Sequence, residues 1–253
     1  MHRFYLPPDQ CQGGRLTLED REAHHGLHVL RLRPGERVSV LDGAGHEYLC
    51  EVRDAGRKAI HLEIRQQTFI PRLPCAVTLL QAIPKGTSFE TILQKATELG
   101  AARVVPLLSE RVVTQLDEDS SEHKLEKWRH TTIEAMKQCG NPWLPQLDPP
   151  LTPRAFLALR ESFELPLIGS LQPDSRHPRE FFNRFFTEHQ RLPQSIAIWV
   201  GPEGDFTPAE LSEAKSAGAL PITLGRLVLR SETAAIYCLS IINYELQAVE
   251  ARD

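Results

Sequence analysis

The chain has 253 residues, of which 41% are hydrophobic and 25% charged, enough apolar material for one large domain or two smaller ones. No apolar run approaches membrane-spanning length and the N-terminus lacks a basic-then-apolar export signal, so a cytoplasmic protein with no membrane partner is expected. The formal net charge is −4, with the acidic excess falling after residue 73, so charge neither indicates nor excludes a nucleic-acid partner.

Five cysteines (Cys11, Cys50, Cys75, Cys139 and Cys238) are scattered with no Cys-x-x-Cys pair, which points to reduced thiols and to neither a disulfide frame nor a metal site. Pro71 and Pro74 bracket a connector that divides the chain into 1–73 and 74–253. In the first part, Arg37–Leu41 alternates polar and apolar, Asp42-Gly43 signals a turn, and Tyr48–Val52 resumes the strand; 59–64 reads as another. This pattern fits a small β-barrel-like module. Its most distinctive stretch, His24 to Arg33, mixes imidazoles, arginines and apolar anchors, as either a solvated barrel edge or an RNA-contacting one.

After the connector the period changes. Ala76–Leu80 is a continuous apolar strand, and Ser88 is read as the cap of a helix whose Phe89, Ile92, Leu93, Ala96 and Leu99 share a face, ending at Gly100. A strand over 103–107, a helix over 120–139 and strands over 165–169 and 195–200 follow, with proline-containing surface loops at 146–154 and 171–178. Thr207-Pro208-Ala209-Glu210 combines an N-cap, a proline at the first helical position and a capping-box glutamate. That helix ends at Gly218, 221–224 returns as a strand, and a last helix runs from Ser231 to Val249. The alternation predicts an α/β domain with a mainly parallel sheet. The last helix carries apolar residues over most of its circumference, which places it in the core or in a homodimer seam, the latter being favoured.

Two segments stand apart: Ile198 to Pro208, built around Gly201-Pro202-Glu203-Gly204, and Leu224 to Ala234. Each is a strand running into a turn and then a helix, and two such turns make a cradle for a small polar ligand. No Gly-Lys-Ser/Thr follows the glycine loop, so it is not a Walker phosphate loop. Nor does either loop follow the first strand of the sheet, as a dinucleotide fingerprint would.

Gly201-Pro202-Glu203-Gly204 together with Leu224-Gly225-x-x-x-Leu229-Arg230-x-Glu232-Thr233-Ala234 resembles the signature of the RsmE-type ribosomal RNA methyltransferases. The similarity extends to His25–Leu32, Gln81-Ala82, Lys85-Gly86, Lys95–Gly100, Ser109–Arg111 and Glu134–Gly140. The chain departs from the family pattern at Asp205, where a second glycine is common, at Ser231, where threonine is usual, and at Asn141, where arginine is frequent.

The resemblance implies a PUA-like RNA-binding β-barrel domain over 1–73 and, over 74–253, a methyltransferase domain of the SPOUT class with a trefoil α/β knot. It implies S-adenosylmethionine as cofactor, no metal, a homodimer, and methylation of uracil N3 in 16S RNA, free or within the small ribosomal subunit. Carried over as cofactor contacts are Gly169, Leu171, Val200, Gly201, Pro202, Glu203, Gly204, Leu224, Gly225, Leu229, Arg230, Thr233 and Ala234. Arg3, His25, Arg31, Arg33, Lys85 and Arg111 are the candidate RNA contacts, as phosphate partners more than base readers.

Alkylating N3 of uracil requires loss of its proton and stabilisation of the resulting anion. Arg230 is placed to stabilise charge on a uracil oxygen, and Glu232 to orient Arg230 or to take the proton; alternatively the two pair at the helix N-terminus. Two other functions stay open at this point: a SPOUT methyltransferase acting on transfer RNA, and a non-catalytic RNA-binding protein with a vestigial pocket.

Overall fold

A computed structural model describes residues 1–111 and 118–247, so the expected helix end at Val249 lies outside the described residues. The chain forms two compact units, one of Met1–Arg72 with Ile133–Leu144, the other of Leu73–Thr132 with the chain from Pro145 onward.

In the first unit, β1 (His2–Tyr5), β2 (Arg15–Leu18), β3 (Arg37–Leu41), β4 (His46–Ala55) and β5 (Ile60–Phe69) form one sheet in the order β1-β3-β4-β5-β2. The β1–β3 pair is parallel and the others antiparallel. Alternation decides the facing of β4: Tyr48, Cys50 and Val52 are buried with Phe4, Leu16, Leu18, Val38, Val40, Ile60 and Leu62, while the residues between them are not. The Asp42-Gly43 turn is closed by Asp42 Oδ1, which accepts from the backbone N–H groups of Ala44 at 2.7 Å and His46 at 2.9 Å.

Residues 20–29, taken above for a barrel edge from His24 on, are helical instead: α1 (Asp20–His24) runs into a π-turn over His25–Val29. Gly26 explains the departure. A Cβ there would stand 2.5 Å from Ile60 Cδ1, so its absence lets the helix lie directly on the sheet.

In the second unit six parallel strands run in the order β11-β9-β10-β6-β7-β8. They are β6 (Ala76–Ala82), β7 (Arg103–Leu107), β8 (Gln146–Leu147), β9 (Leu165–Gly169), β10 (Ser195–Val200) and β11 (Leu220–Ile222). A parallel sheet is buried on both faces, and β10 shows how: Ile196, Ile198 and Val200 enter one core, Ala197 and Trp199 the other. The first core also takes Phe89, Ile92, Leu93 and Ala96 from α2 (Ser88–Glu98), Phe181 and Phe182 from α5 (Pro178–His189), and Ala235, Cys238, Leu239 and Ile242 from α7 (Ser231–Gln247). The second takes Phe156 from α4 (Pro153–Ala158) and Leu211 and Ala214 from α6 (Pro208–Ser216). Of the long helix α3 (Glu118–Cys139), the part up to Thr132 belongs to this unit and the remainder to the first.

The segment 146–154, read as a surface loop, carries two elements. Gln146–Leu147 pairs with β7, and Pro153 opens α4 under a Thr152 side-chain cap. The last helix is buried on one face only: Tyr237 and Tyr244 are exposed on the other.

Candidate active site

The strand order β11-β9-β10 brings three carboxyl ends to one rim. Ile222 pairs with Gly169 and Trp199 with Ile168, so the segments after β9, β10 and β11 leave the sheet side by side. Open α/β sheets bind ligands at this position. Here the segments enclose a cleft of about 470 Å³, within the range of small-molecule sites.

The loop after β10 is heavily constrained. Asp205 N donates to Pro202 O at 2.9 Å, closing a turn, and Asp205 sits at φ +60°, a left-handed conformation that aspartate tolerates. Asp205 Oδ1 then accepts from Phe206 N at 2.8 Å, and Phe206 is buried edge-on to Trp199. A Cβ on Gly201 would lie 3.1 Å from both Asp205 Oδ1 and Phe206 N, so the turn folds closely over that residue.

The expected capping box at α6 is present. Thr207 Oγ1 accepts from Glu210 N at 3.2 Å, and Glu210 Oε2 accepts from Thr207 N at 2.9 Å. The same buried carboxylate accepts from Ser109 Oγ at 3.0 Å and Glu110 N at 2.9 Å, tying the start of α6 to the segment after β7. The Arg111 guanidinium donates to Gly204 O, and Glu203 Oε1 accepts from Lys85 N at 3.0 Å. The glycine loop is thus held by two other segments of the same unit.

The loop after β11 is more open. Gly225, at φ +109°, donates its N–H to Thr223 Oγ1 at 3.2 Å. Beyond it Leu227 and Val228 are 78% and 74% exposed at the mouth of the cleft. Arg230 O accepts from Ala234 N at 2.8 Å as α7 begins, with the Arg230 side chain exposed and Glu232 half-buried.

Of the sequence-derived cofactor residues, Gly169, Leu171, Val200, Gly201, Pro202, Glu203, Leu224, Gly225, Leu229 and Ala234 line this cleft. Gly204, Arg230 and Thr233 stand beside it in chain without being among its lining residues, as does Glu232. Ser170, Gln172, Asp205, Thr223, Leu227, Val228 and Ser231 also line it and were not among the cofactor contacts carried over, although most fill gaps within the segments that were.

The RNA candidates divide between the units. His25 packs edge-on to Phe4, with ring centroids 6.2 Å apart, while Arg31 and Arg33 are exposed. Lys85 and Arg111 belong to the second unit and hold the glycine loop as described. Arg3 has an architectural contact: its Nη1 donates to Lys137 O at 3.2 Å and Gln138 O at 3.1 Å, satisfying carbonyls at the end of α3.

Burial pushes the thiols of Cys11, Cys50, Cys75 and Cys238 up to about 12, which keeps them protonated and removes them as nucleophiles at neutral pH. Among the described residues no group of three His, Cys, Asp or Glu side chains is arranged to hold a metal ion, and no helix is long and apolar enough to cross a membrane.

Comparison with known proteins agrees with this architecture. Residues 71–243 match the RNA methyltransferase domain family, and residues 18–65 the RNA methyltransferase PUA domain family. The ribosomal RNA small subunit methyltransferase E of Synechocystis is 33% identical over 98% of this chain and 78% of its own length. That of Bacillus subtilis is 28% identical over 98% of both. Among solved structures, a methyltransferase from Legionella pneumophila in complex with SAM superposes with a TM-score of 0.85 at 31% identity, covering 98% of this chain and 97% of that one. The Neisseria gonorrhoeae ribosomal RNA small subunit methyltransferase E bound to S-adenosyl methionine gives 0.83 at 29%, covering 96% and 97%.

The fold is that of an RNA methyltransferase: a SPOUT-type parallel-sheet domain preceded by a PUA-like module, as the sequence resemblance implies. Within that class, the chain belongs to the ribosomal RNA small subunit methyltransferase E family.

Proposed function

We propose that this protein transfers a methyl group from S-adenosylmethionine to N3 of a specific uridine in 16S ribosomal RNA. The observation that carries the reading is the convergence of the ends of β9, β10 and β11 on one cleft of suitable volume. The lining fits the cofactor's parts. Leu171, Val200, Leu224 and Leu229 offer apolar surface to an adenine ring, the main chain at Gly225 is open to close approach, and the Asp205 carboxylate suits a cationic ligand.

When bound, S-adenosylmethionine supplies an electrophilic methyl on a sulfonium. The uracil N3 lone pair forms the new C–N bond as the C–S bond breaks, the electron pair leaving with sulfur as the neutral thioether. The protein's work is alignment and electrostatics. Arg230 stabilises the negative charge that develops on the uracil oxygens, and Glu232, in the first turn of α7, receives the N3 proton. The target base is extruded from its stack to reach the cleft.

In the same reading, residues 1–73 are an RNA-binding domain and 74–253 the catalytic one. His25, Arg31 and Arg33 of the former and Lys85 and Arg111 of the latter meet phosphates. The enzyme works in the cytoplasm as a homodimer: the exposed Leu171, Leu227 and Val228 at the cleft mouth and Tyr237 and Tyr244 on α7 are large apolar side chains that a second copy would cover.

The test is methylation of purified small subunits and of free 16S RNA from a strain lacking the gene, read by nucleoside mass spectrometry. 3-Methyluridine formed only with protein and S-adenosylmethionine supports the reading. A different methylated nucleoside, or methylation of transfer RNA alone, replaces it.

A further inference from the structure

We propose that Gln81 is a positioning residue for the methyl-donor site, locking the two cleft loops to each other through Ser231. The inference rests on the reading of the cleft as the S-adenosylmethionine site.

Gln81 lies near the end of β6, opposite Val200 of β10, and is wholly buried. A buried amide is costly unless its groups are matched, so this one needs a reason. Its Nε2 donates to Ala82 O at 2.8 Å and to Ser231 Oγ at 2.9 Å, which uses both hydrogens. Turning the amide over would set Oε1 against the Ala82 carbonyl, acceptor against acceptor, so its orientation is fixed.

The direction of the next bond follows. Because Ser231 Oγ accepts from Gln81, its own hydrogen goes to Gly201 O, 2.8 Å away. Gln81 to Ser231 to Gly201 is therefore a one-way relay, spanning 150 and then 30 residues of chain. It joins the first residue of the glycine loop to the first residue of α7, which directly follows Arg230.

Stability does not account for this glutamine. Its Oε1 is buried with no hydrogen-bond partner among the described residues, so an apolar side chain of similar size removes an unsatisfied acceptor. What such a side chain cannot do is orient the Ser231 hydroxyl.

The test uses the full-length protein with Gln81→Met, Ser231→Ala, Ser231→Thr and the Gln81→Met/Ser231→Ala double variant. S-adenosylmethionine affinity is measured by calorimetry, and hydrogen exchange of the Asp205 and Phe206 amides is followed in the cofactor-free protein. Gln81→Met and Ser231→Ala are each expected to weaken binding roughly tenfold and to speed exchange of the loop, the effect of one buried hydrogen bond. Ser231→Thr keeps the hydroxyl and should stay within about twofold of wild type. The double variant should be no worse than either single one, because the two side chains act as one unit.

Wild-type binding and exchange in Ser231→Ala overturn the proposal, as do equal losses in Ser231→Thr and Ser231→Ala or multiplicative losses in the double variant. Where Gln81→Met fails to fold, the alanine–threonine contrast at Ser231 decides. A wild-type protein that binds no S-adenosylmethionine overturns the donor-site reading itself and takes the relay's role with it, a result distinct from all of these.

Discussion

Glu203 Oε1 accepts the backbone N–H of Lys85 at 3.0 Å, across 118 residues of chain. This bond ties the loop between β6 and α2 to the glycine loop after β10, so the wall of the cleft is fixed from outside itself. Replacing Glu203 with alanine removes the acceptor and frees the loop, and S-adenosylmethionine affinity is expected to fall about five- to tenfold. Glu203→Gln keeps a carbonyl oxygen for Lys85 and should recover most of that loss in the same calorimetric titration. Equal losses in both variants would assign the effect to charge and not to the bridge.

Gly201 is the tightest point of the same loop. With 3.1 Å between a would-be Cβ and both Asp205 Oδ1 and Phe206 N, the branched side chain of Gly201→Val forces the turn open. Cofactor binding should become undetectable by calorimetry while circular dichroism still reports a folded α/β protein. Unchanged affinity would remove this loop from the site.

Arg230 is exposed beside the cleft, and its proposed role lies in the transition state and not in holding the cofactor. Arg230→Ala should therefore lower single-turnover methyl transfer by roughly 10²–10³-fold, the scale of one electrostatic stabiliser. S-adenosylmethionine affinity should change by less than about twofold. Wild-type turnover in this variant would end the assignment.

Glu164 gives a pH prediction away from the site. The Arg191 guanidinium, then the Gln194 backbone N–H, hold its carboxyl at about 2, below its ordinary 4.5. The folded value is the lower one, so the contribution is fully present above about 4.5 and is lost as pH falls towards 2. Because the group is solvent-exposed the effect is small. In acid titrations followed by circular dichroism, Glu164→Gln should flatten the decline in thermal stability across that window and behave nearly as wild type at pH 7. A variant that tracks the wild type throughout shows that the bridge contributes nothing.

Much of the catalytic unit was legible because its signals are local. Thr207-Pro208-Ala209-Glu210 contains its own capping box within four residues, and Gly100, at φ +77°, ends α2 where the pattern stops. The helix over Pro178–His189 was not read. Its phenylalanines 181, 182 and 185 recur at helical spacing behind a His177 cap and a proline at the first position, a signal that sequence reading passed over. Other features leave no local trace at all. Arg3 caps the carbonyl of Gln138, 135 residues later, Glu210 reaches the segment after β7 beyond its own cap, and the Gln81–Ser231 bond joins β6 to the start of α7 across 150 residues. The site was thus readable as two loops, whereas the bonds that hold those loops together come only from the packed sheet.

A crystal structure with S-adenosylmethionine or its demethylated product would locate the methyl donor on the molecule. The ligand is expected between Gly201 and Leu224, its sulfur side towards Arg230 and its adenine against the apolar wall formed by Leu171, Val200 and Leu229. Ligand density at any other place on the molecule, with this cleft filled only by solvent, would contradict this placement.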